Sequence, residues 1–312
     1  MEMHCSSELL FSNLLIGLTK GLKRLQPYSI EFQKNLGYKL FRFEQKIRYI
    51  KNGGGTIHPD CIIISEKLNH TIIFEWTNNP DPEIKQDQFR RYGNVEAADL
   101  IDNAAVPPNC CNNYSMAIVI FNNDGNDNYV DYFHQNAILY PLLFFENHSD
   151  VTLEKIKNKF LEKNTEKFFN RGIKLNIRNI PLHYLPFSLN NITHSELVAP
   201  VIQSLVGFIV KEEKVSVSCD EICEDILPLW KYLSFSKKKE IRDKVKELIR
   251  SLSRDTETRS LIERDQTKER ASWKLNTIEF FQHIIKYQNE LNNFINEIQG
   301  NPMQPLLPYE EF

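Results

Sequence analysis

Two short β-branched runs, Cys61-Ile62-Ile63-Ile64 and Thr71-Ile72-Ile73-Phe74, are joined by a polar turn, Glu66-Lys67-Leu68-Asn69-His70. Runs of that composition and length with turn residues between them specify a hairpin. Each run carries one carboxylate at its end: Asp60 precedes the first and Glu75 follows the second. In a hairpin the last residues of the second strand lie opposite the first residues of the first. Asp60 and Glu75 are therefore expected side by side at one end of a sheet. Converging carboxylates offer oxygen ligands to a hard cation such as Mg²⁺. A cation held there activates water and stabilises charge on a phosphodiester.

Asn78 to Glu83 contains Pro80 and Pro82 and closes the second strand. A helix is expected over Ile84–Leu100, and on it Lys85, Gln88 and Tyr92 are spaced to share one face. Pro59-Asp60, then Glu75-Trp76-Thr77 fifteen residues on, then Gln88-Phe89-Arg90-Arg91-Tyr92 resemble, in order and spacing, the PD-(D/E)xK nuclease superfamily. The last element resembles the QxxxY motif of its RecB-like branch, and the likeness covers roughly residues 28–145.

That resemblance implies an α/β fold with a restriction-endonuclease-like mixed sheet flanked by helices. It implies Asp60 and Glu75 as ligands of Mg²⁺ or Mn²⁺, helped by the carbonyl of Trp76, and DNA as substrate. Gln88 would orient water or a phosphate oxygen, and Arg91 and Tyr92 would contact the backbone. Thr77 stands where the family places a lysine; Lys85 is the candidate to return that cation from the helix. The family often carries a further glutamate, and both Glu31 and Glu44 qualify. Glu44 equally suits a surface pairing with Lys46 or Arg48, and Glu31 equally suits a surface helix turn. His58 shares a strand face with Asp60, which suits either a phosphate contact or a plain surface residue. By analogy with the family, the chain fits a restriction or antiviral-defence endonuclease. A second reading takes Thr77 as the mark of a nuclease fold that has lost catalysis and serves nucleic-acid binding or assembly. A third sets the resemblance aside and leaves a partner-binding α/β protein.

The 312-residue chain is 41% hydrophobic with a formal net charge of −3, so it is no polycation. Its charge is uneven: Lys20, Lys23, Arg24, Lys34, Lys39, Arg42, Lys46, Arg48 and Lys51 face only Glu31 and Glu44 in that stretch. A local basic surface of this kind is what nucleic-acid binding needs, although a solvated charged face has the same composition. The six cysteines form no disulfide framework. Cys219 and Cys223, four apart, lack a second pair at zinc-site spacing and read as buried thiols. No leader pattern or membrane-length apolar run is present, which points to a soluble cytoplasmic protein.

Leucine spacing predicts a helix from Ser6 to Leu25, and a short helix follows from Ser29 to Leu36. Leu40 to Lys51 alternates as one half-buried strand, and Asn52–Gly55 turns into the Asp60 strand. Tyr114–Phe121 is a buried strand, parallel to its neighbour through a crossover. Tyr129–Phe133 and Ala137–Phe145 read as further strands, and Asp150–Asn170 as an amphipathic helix. A nuclease-like domain over 1–172 and a mostly helical C-terminal domain over 173–312 follow. The second carries a capping box at Thr193–Glu196, a helix over Asp220–Tyr232 interrupted near Pro228, and a helix capped by Ser236. On the last, Ile241, Val245, Leu248, Ile249 and Leu252 form the buried stripe. Three helices ending in a basic one suit a helix-turn-helix or winged-helix reader, or a plain bundle. Arg254–Arg270 reads as an exposed helix or linker. A long amphipathic helix is expected over Trp273–Ile298, able to pack back on the core or to pair with a second copy or a protein partner, before an irregular tail.

Overall fold

The computed structural model describes residues 6–121, 126–148, 150–187, 189, 192–210, 216–254, 262–265 and 272–275. Two compact units divide it: residues 1–188 with 232–234, and the remainder.

The first unit opens with α1 (Ser7–Lys20), capped by the Ser6 hydroxyl on the Leu9 N–H and ended by Gly21 at φ 69°. A short π-helical segment over Ile30–Asn35 follows. A seven-stranded mixed sheet is then built from β1 (Tyr38–Phe43), β4 (Cys61–Ser65), β5 (His70–Thr77), β6 (Asn113–Ile120), β7 (Leu142–Asn147), β8 (Asp150–Lys157) and β9 (Ile173–Asn176), lying side by side in that order. β4 and β5 are the expected antiparallel hairpin, with Cys61 opposite Phe74. β5 and β6 run parallel, with Glu75 opposite Ile118. Both are buried along most of their length because helices cover both faces.

Between β1 and β4, β2 (Ile47–Tyr49) and β3 (Gly55–Ile57) form a separate two-stranded hairpin. The single strand expected over Leu40–Lys51 is therefore broken. Its alternation slips at a bulge between Leu40 and Arg42, and the chain leaves the sheet at Glu44, where φ is 52°. The expected helix over Ile84–Leu100 is also broken. A 3₁₀ turn (Pro82–Lys85) runs into α2 (Gln86–Tyr92), and α3 (Ala97–Ala104) follows after Gly93 and Asn94.

Tyr129–Phe133 is not a strand but part of α4 (Asn126–Gln135). Tyr129, Tyr132 and Phe133 recur at helical spacing and bury one face against Phe89. Asp150–Asn170 is not one helix. Val151 and Leu153 point into the core at strand spacing from β8, and only α5 (Lys163–Arg171) is helical.

On the α1 side, Phe11 is fully buried and meets the rings of Phe74, Trp76, Phe121 and Phe145 at centroid distances of 5.3–5.9 Å. The opposite side buries Ile73, Ile118 and Ile120 with Phe89, Tyr92 and Tyr129.

A buried polar chain ties β1 to β5 and β6. Tyr38 Oη lies 2.5 Å from His70 Nδ1 and from Thr165 Oγ1, while His70 Nε2 lies 2.9 Å from Ser115 Oγ. Burial depresses the imidazole pKa to about 4, partly opposed by Glu162. Below its ordinary value of 6.5 the unfolded chain takes up a proton that the folded chain refuses until about pH 4. His70 thus contributes stability that is complete above pH 6.5 and declines as pH falls toward 4. Thermal melts of wild type and His70→Gln between pH 7 and 4.5 should show a gap that narrows with acid. An imidazole titrating near 6.5 by NMR would contradict this.

The second unit holds α6 (His194–Val210), β10 (Ser216–Ser218), α7 (Cys219–Ile226), α8 (Phe235–Leu252), β11 (Ile262–Arg264) and β12 (Ser272–Leu275). The Thr193–Glu196 capping box is formed, with Glu196 Oε2 accepting the Thr193 N–H at 2.8 Å. The stripe expected on α8 is buried throughout. The three strands make an antiparallel sheet ordered β10-β12-β11, so small strands accompany the helices. Trp273 to Leu275, expected to open a long helix, lie on β12; the rest of that segment falls outside the described residues, as do most of Arg254–Arg270 and the tail. Cys219 and Cys223 are buried thiols with sulfurs 4.0 Å apart. Among the described residues no helix is long and apolar enough to cross a membrane.

Candidate active site

Asp60 sits at the mouth of β4. Its N–H donates to the Phe74 carbonyl at 3.1 Å, which extends the β4–β5 ladder by one rung. Its own carbonyl accepts the Glu44 N–H at 3.0 Å. The left-handed turn that breaks the β1 strand thus seats Glu44 against Asp60. The Asp60 side chain is buried, and Oδ2 accepts the Trp76 N–H at 2.8 Å.

Glu75, on β5, is buried as well, and three residues of the following helical segment close over it. Lys85 Nζ lies 3.3 Å from Oε1 and Gln88 Nε2 donates to the same oxygen at 2.5 Å. Tyr92 Oη donates to Oε2 at 2.5 Å, and Gln88 Nε2 also reaches the Tyr92 hydroxyl at 3.2 Å. The spacing read from the sequence places all three on the face that covers β5, even though the helix is shorter than expected.

The two carboxyls differ in how their charge is met. Burial raises the pKa of Asp60 well above its ordinary value, and the negative charges of Glu75, Glu44 and Glu8 add to that in decreasing order. Only the Trp76 N–H opposes it substantially, and no cation lies against it among the described residues. Burial raises Glu75 too, but Lys85, Tyr92 and Gln88 all pull it back. Tyr92 is held protonated by burial and by Glu75 and Asp60, which keeps it a donor. The pocket therefore carries an excess of acidic groups centred on Asp60.

Thr77 is buried, and its hydroxyl accepts the Asn79 N–H at 3.1 Å and meets Tyr129, so it caps the end of β5. His58 is exposed; burial depresses its pKa first, then the nearby charges of Lys46 and Arg91. Arg91 is exposed on α2 and its Nε donates to the Asp87 carbonyl at 3.2 Å. Glu31 is not brought to the site: its carboxylate bonds Arg171 of α5 at 2.5 Å. Glu8, in the first turn of α1, is a neighbour of Asp60 that sequence reasoning missed. Nothing in the sequence marks it, because it is more than fifty residues from Asp60, on a helix whose leucine spacing announces only a buried face.

A group of three or more His, Cys, Asp or Glu side chains arranged to hold a metal ion is absent among the described residues. The converging pair, in which Asp60 has no cation against it among the described residues, nevertheless fits a hard cation that keeps water and substrate oxygens in its other positions, as Mg²⁺ does. The basic face expected on α8 is largely engaged. Lys237 and Lys244 pair with Glu240, Lys246 with Asp243, and Arg242 with Asp220.

Among known families, the MJECL32 domain matches residues 9–185, more than half of the chain, and the chain belongs to that family. A domain of unknown function, DUF8601, matches residues 191–307. No curated protein and no solved structure matches the chain.

Proposed function

We propose that this member of the MJECL32 domain family is a metal-dependent nuclease that hydrolyses DNA phosphodiesters with a site built on Asp60 and Glu75. The observation that carries the reading is the buried carboxyl pair, with Asp60 lacking a cation and Glu75 gripped by Lys85, Gln88 and Tyr92. Resemblance to the PD-(D/E)xK superfamily supports it through the order Asp60, Glu75, Gln88, Tyr92. Asp60 and Glu75 would hold the Mg²⁺ or Mn²⁺, with Glu44 beside them. The bound ion supplies Lewis acidity and a more acidic water.

The chain's own groups do the positioning. The Trp76 N–H fixes the Asp60 carboxyl, and Tyr92 and Gln88 fix both oxygens of Glu75. Lys85 offers the cation that Thr77 cannot, at a side chain still 27% exposed and able to reach a phosphate oxygen. Use of the site in restriction or antiviral defence belongs to the same proposal, by family analogy alone. The alternative of a catalytically silent nucleic-acid-binding module rests on the Thr77 hydroxyl being spent on capping β5.

Calorimetric titration with Mn²⁺ separates site from scaffold. Wild type is expected to bind the ion and gain thermal stability with it, and Asp60→Asn to do neither. Equal Mn²⁺ binding by both would remove the site from the reading. For Lys85, alanine is expected to slow cleavage by about a hundredfold and arginine to restore part of the rate. An unchanged rate in Lys85→Ala would show that the cation comes from elsewhere.

A further inference from the structure

The β2–β3 hairpin is separate from the main sheet and lies directly upstream of Asp60 in the chain, with only His58 and Pro59 between. Its inner residues Ile47, Tyr49 and Ile57 are buried in the cluster that holds Phe89, Tyr92, Val95 and Leu100, so the hairpin is anchored on α2 and α3. Alternation then forces Lys46, Arg48 and Ile50 outward, and all three are exposed. Neither Lys46 nor Arg48 has a carboxylate partner among the described residues, unlike Lys51, which pairs with Glu96. Lys46 is also close enough to His58 to act on it electrostatically, as is Arg91 on α2. Ile50, at the start of the hairpin turn, is 83% exposed, an unusual position for a β-branched residue with cations on both sides. Its turn is built from Asn52, Gly53 and Gly54, all at positive φ, so the tip is narrow.

We infer that this hairpin is a DNA clamp: Lys46 and Arg48 track the phosphate backbone of duplex DNA, continued by Arg91, while Ile50 enters the groove and presses on the base stack. The inference rests on the nuclease reading for its choice of polyanion. The chemistry of the surface favours it independently. Free guanidinium and ammonium groups on one edge of a ribbon suit a regularly spaced anion. An exposed apolar tip beside them suits base edges, as in proteins that wedge a side chain between base steps. An acidic protein surface would use the cations but offers little to Ile50. The placement also solves a physical problem of the site: a phosphodiester approaching two carboxyls is repelled, and cations a few residues away supply the attraction that brings it in.

The test measures binding without cleavage. The full chain carrying Asp60→Asn, in EDTA, is titrated onto a fluorescein-labelled DNA duplex and onto single-stranded DNA at several salt concentrations. Lys46→Gln with Arg48→Gln is expected to weaken duplex binding by at least about tenfold near 0.1 M salt. It should lower the slope of log affinity against log salt by about two. Lys67→Gln, in the exposed β4–β5 turn, should change neither. A duplex with 2-aminopurine reports unstacking: wild-type Ile50 should brighten it, and Ile50→Ser should abolish the signal while leaving the salt slope intact. Wild-type affinity and slope in the double variant would overturn the clamp, as would tighter binding of polyglutamate than of DNA. Persistence of the 2-aminopurine signal in Ile50→Ser would overturn the wedge. Because no cleavage is read, a chain that binds through the hairpin but cuts nothing sinks only the hydrolytic reading. A chain that cuts but ignores these substitutions sinks only the clamp.

Discussion

Asp60→Asn is expected to raise the melting temperature of the metal-free protein while abolishing its hydrolytic activity. Asparagine keeps a carbonyl oxygen for the Trp76 N–H, so the bond that fixes the side chain survives. What disappears is a buried carboxyl whose ionisation burial, Glu75 and Glu44 oppose. Relief of such a site should stabilise by about 0.5–2 kcal/mol, and each kcal/mol moves the melt of a domain this size by about 2–4 °C. The pH dependence follows from the raised carboxyl. Above its ordinary pKa of 3.8 the unfolded chain has released the proton while the folded chain retains it. Wild-type stability therefore falls as pH rises above 3.8 toward the raised folded pKa, and the advantage of asparagine grows with it from near zero around pH 4. Cleavage should fall by at least about a hundredfold, since the group that would hold the cation is gone. Differential scanning calorimetry without metal, alongside a cleavage assay, reads both. A variant less stable than wild type at pH 8 would mean that Asp60 is a structural anion, not a strained one.

Phe11→Ala should have the largest effect on stability in the first unit. The ring is fully buried and meets four other aromatic rings from β5, the end of β6 and β7. Removing it costs the transfer term and leaves a cavity, together about 3–5 kcal/mol. By the same scaling the melt should drop by roughly 6–20 °C. Trp76 packs on Phe11 at 5.5 Å and its backbone holds Asp60, so the lesion reaches the site through the sheet. Phe11→Leu, which refills most of the volume, should cost clearly less. A loss in Phe11→Ala under about 1 kcal/mol by chemical denaturation would show that α1 is a loosely docked helix.

The β4–β5 hairpin was legible because strand chemistry there is local: two β-branched runs, a polar turn, a carboxylate at each outer end. So was the Glu75-facing set of Lys85, Gln88 and Tyr92, because one face of a short helix needs only spacing. The places where sequence reading failed share a different cause. The break at Glu44 depends on a left-handed backbone that its residue type does not announce. Tyr129–Phe133 is too short a run for its period to be judged, and it became helical because Phe89 offered it an aromatic face. The Lys/Glu-rich β8 mimics a helix surface, and only pairing with β7 and β9 decides it. Glu8 and the two-stranded hairpin reach the site through tertiary packing, which no local pattern carries.

The most direct test of hydrolysis at the Asp60–Glu75 pair is incubation of supercoiled plasmid with the purified 312-residue chain in Mg²⁺ or Mn²⁺, comparing wild type with Glu75→Gln. Glutamine keeps acceptor and shape but removes the charge that Lys85 and the ion would share. Nicked and linear DNA are expected with wild type, none in EDTA, and none above background with Glu75→Gln. Equal cutting by wild type and Glu75→Gln, or metal-independent cutting, would contradict metal-dependent hydrolysis at that pair.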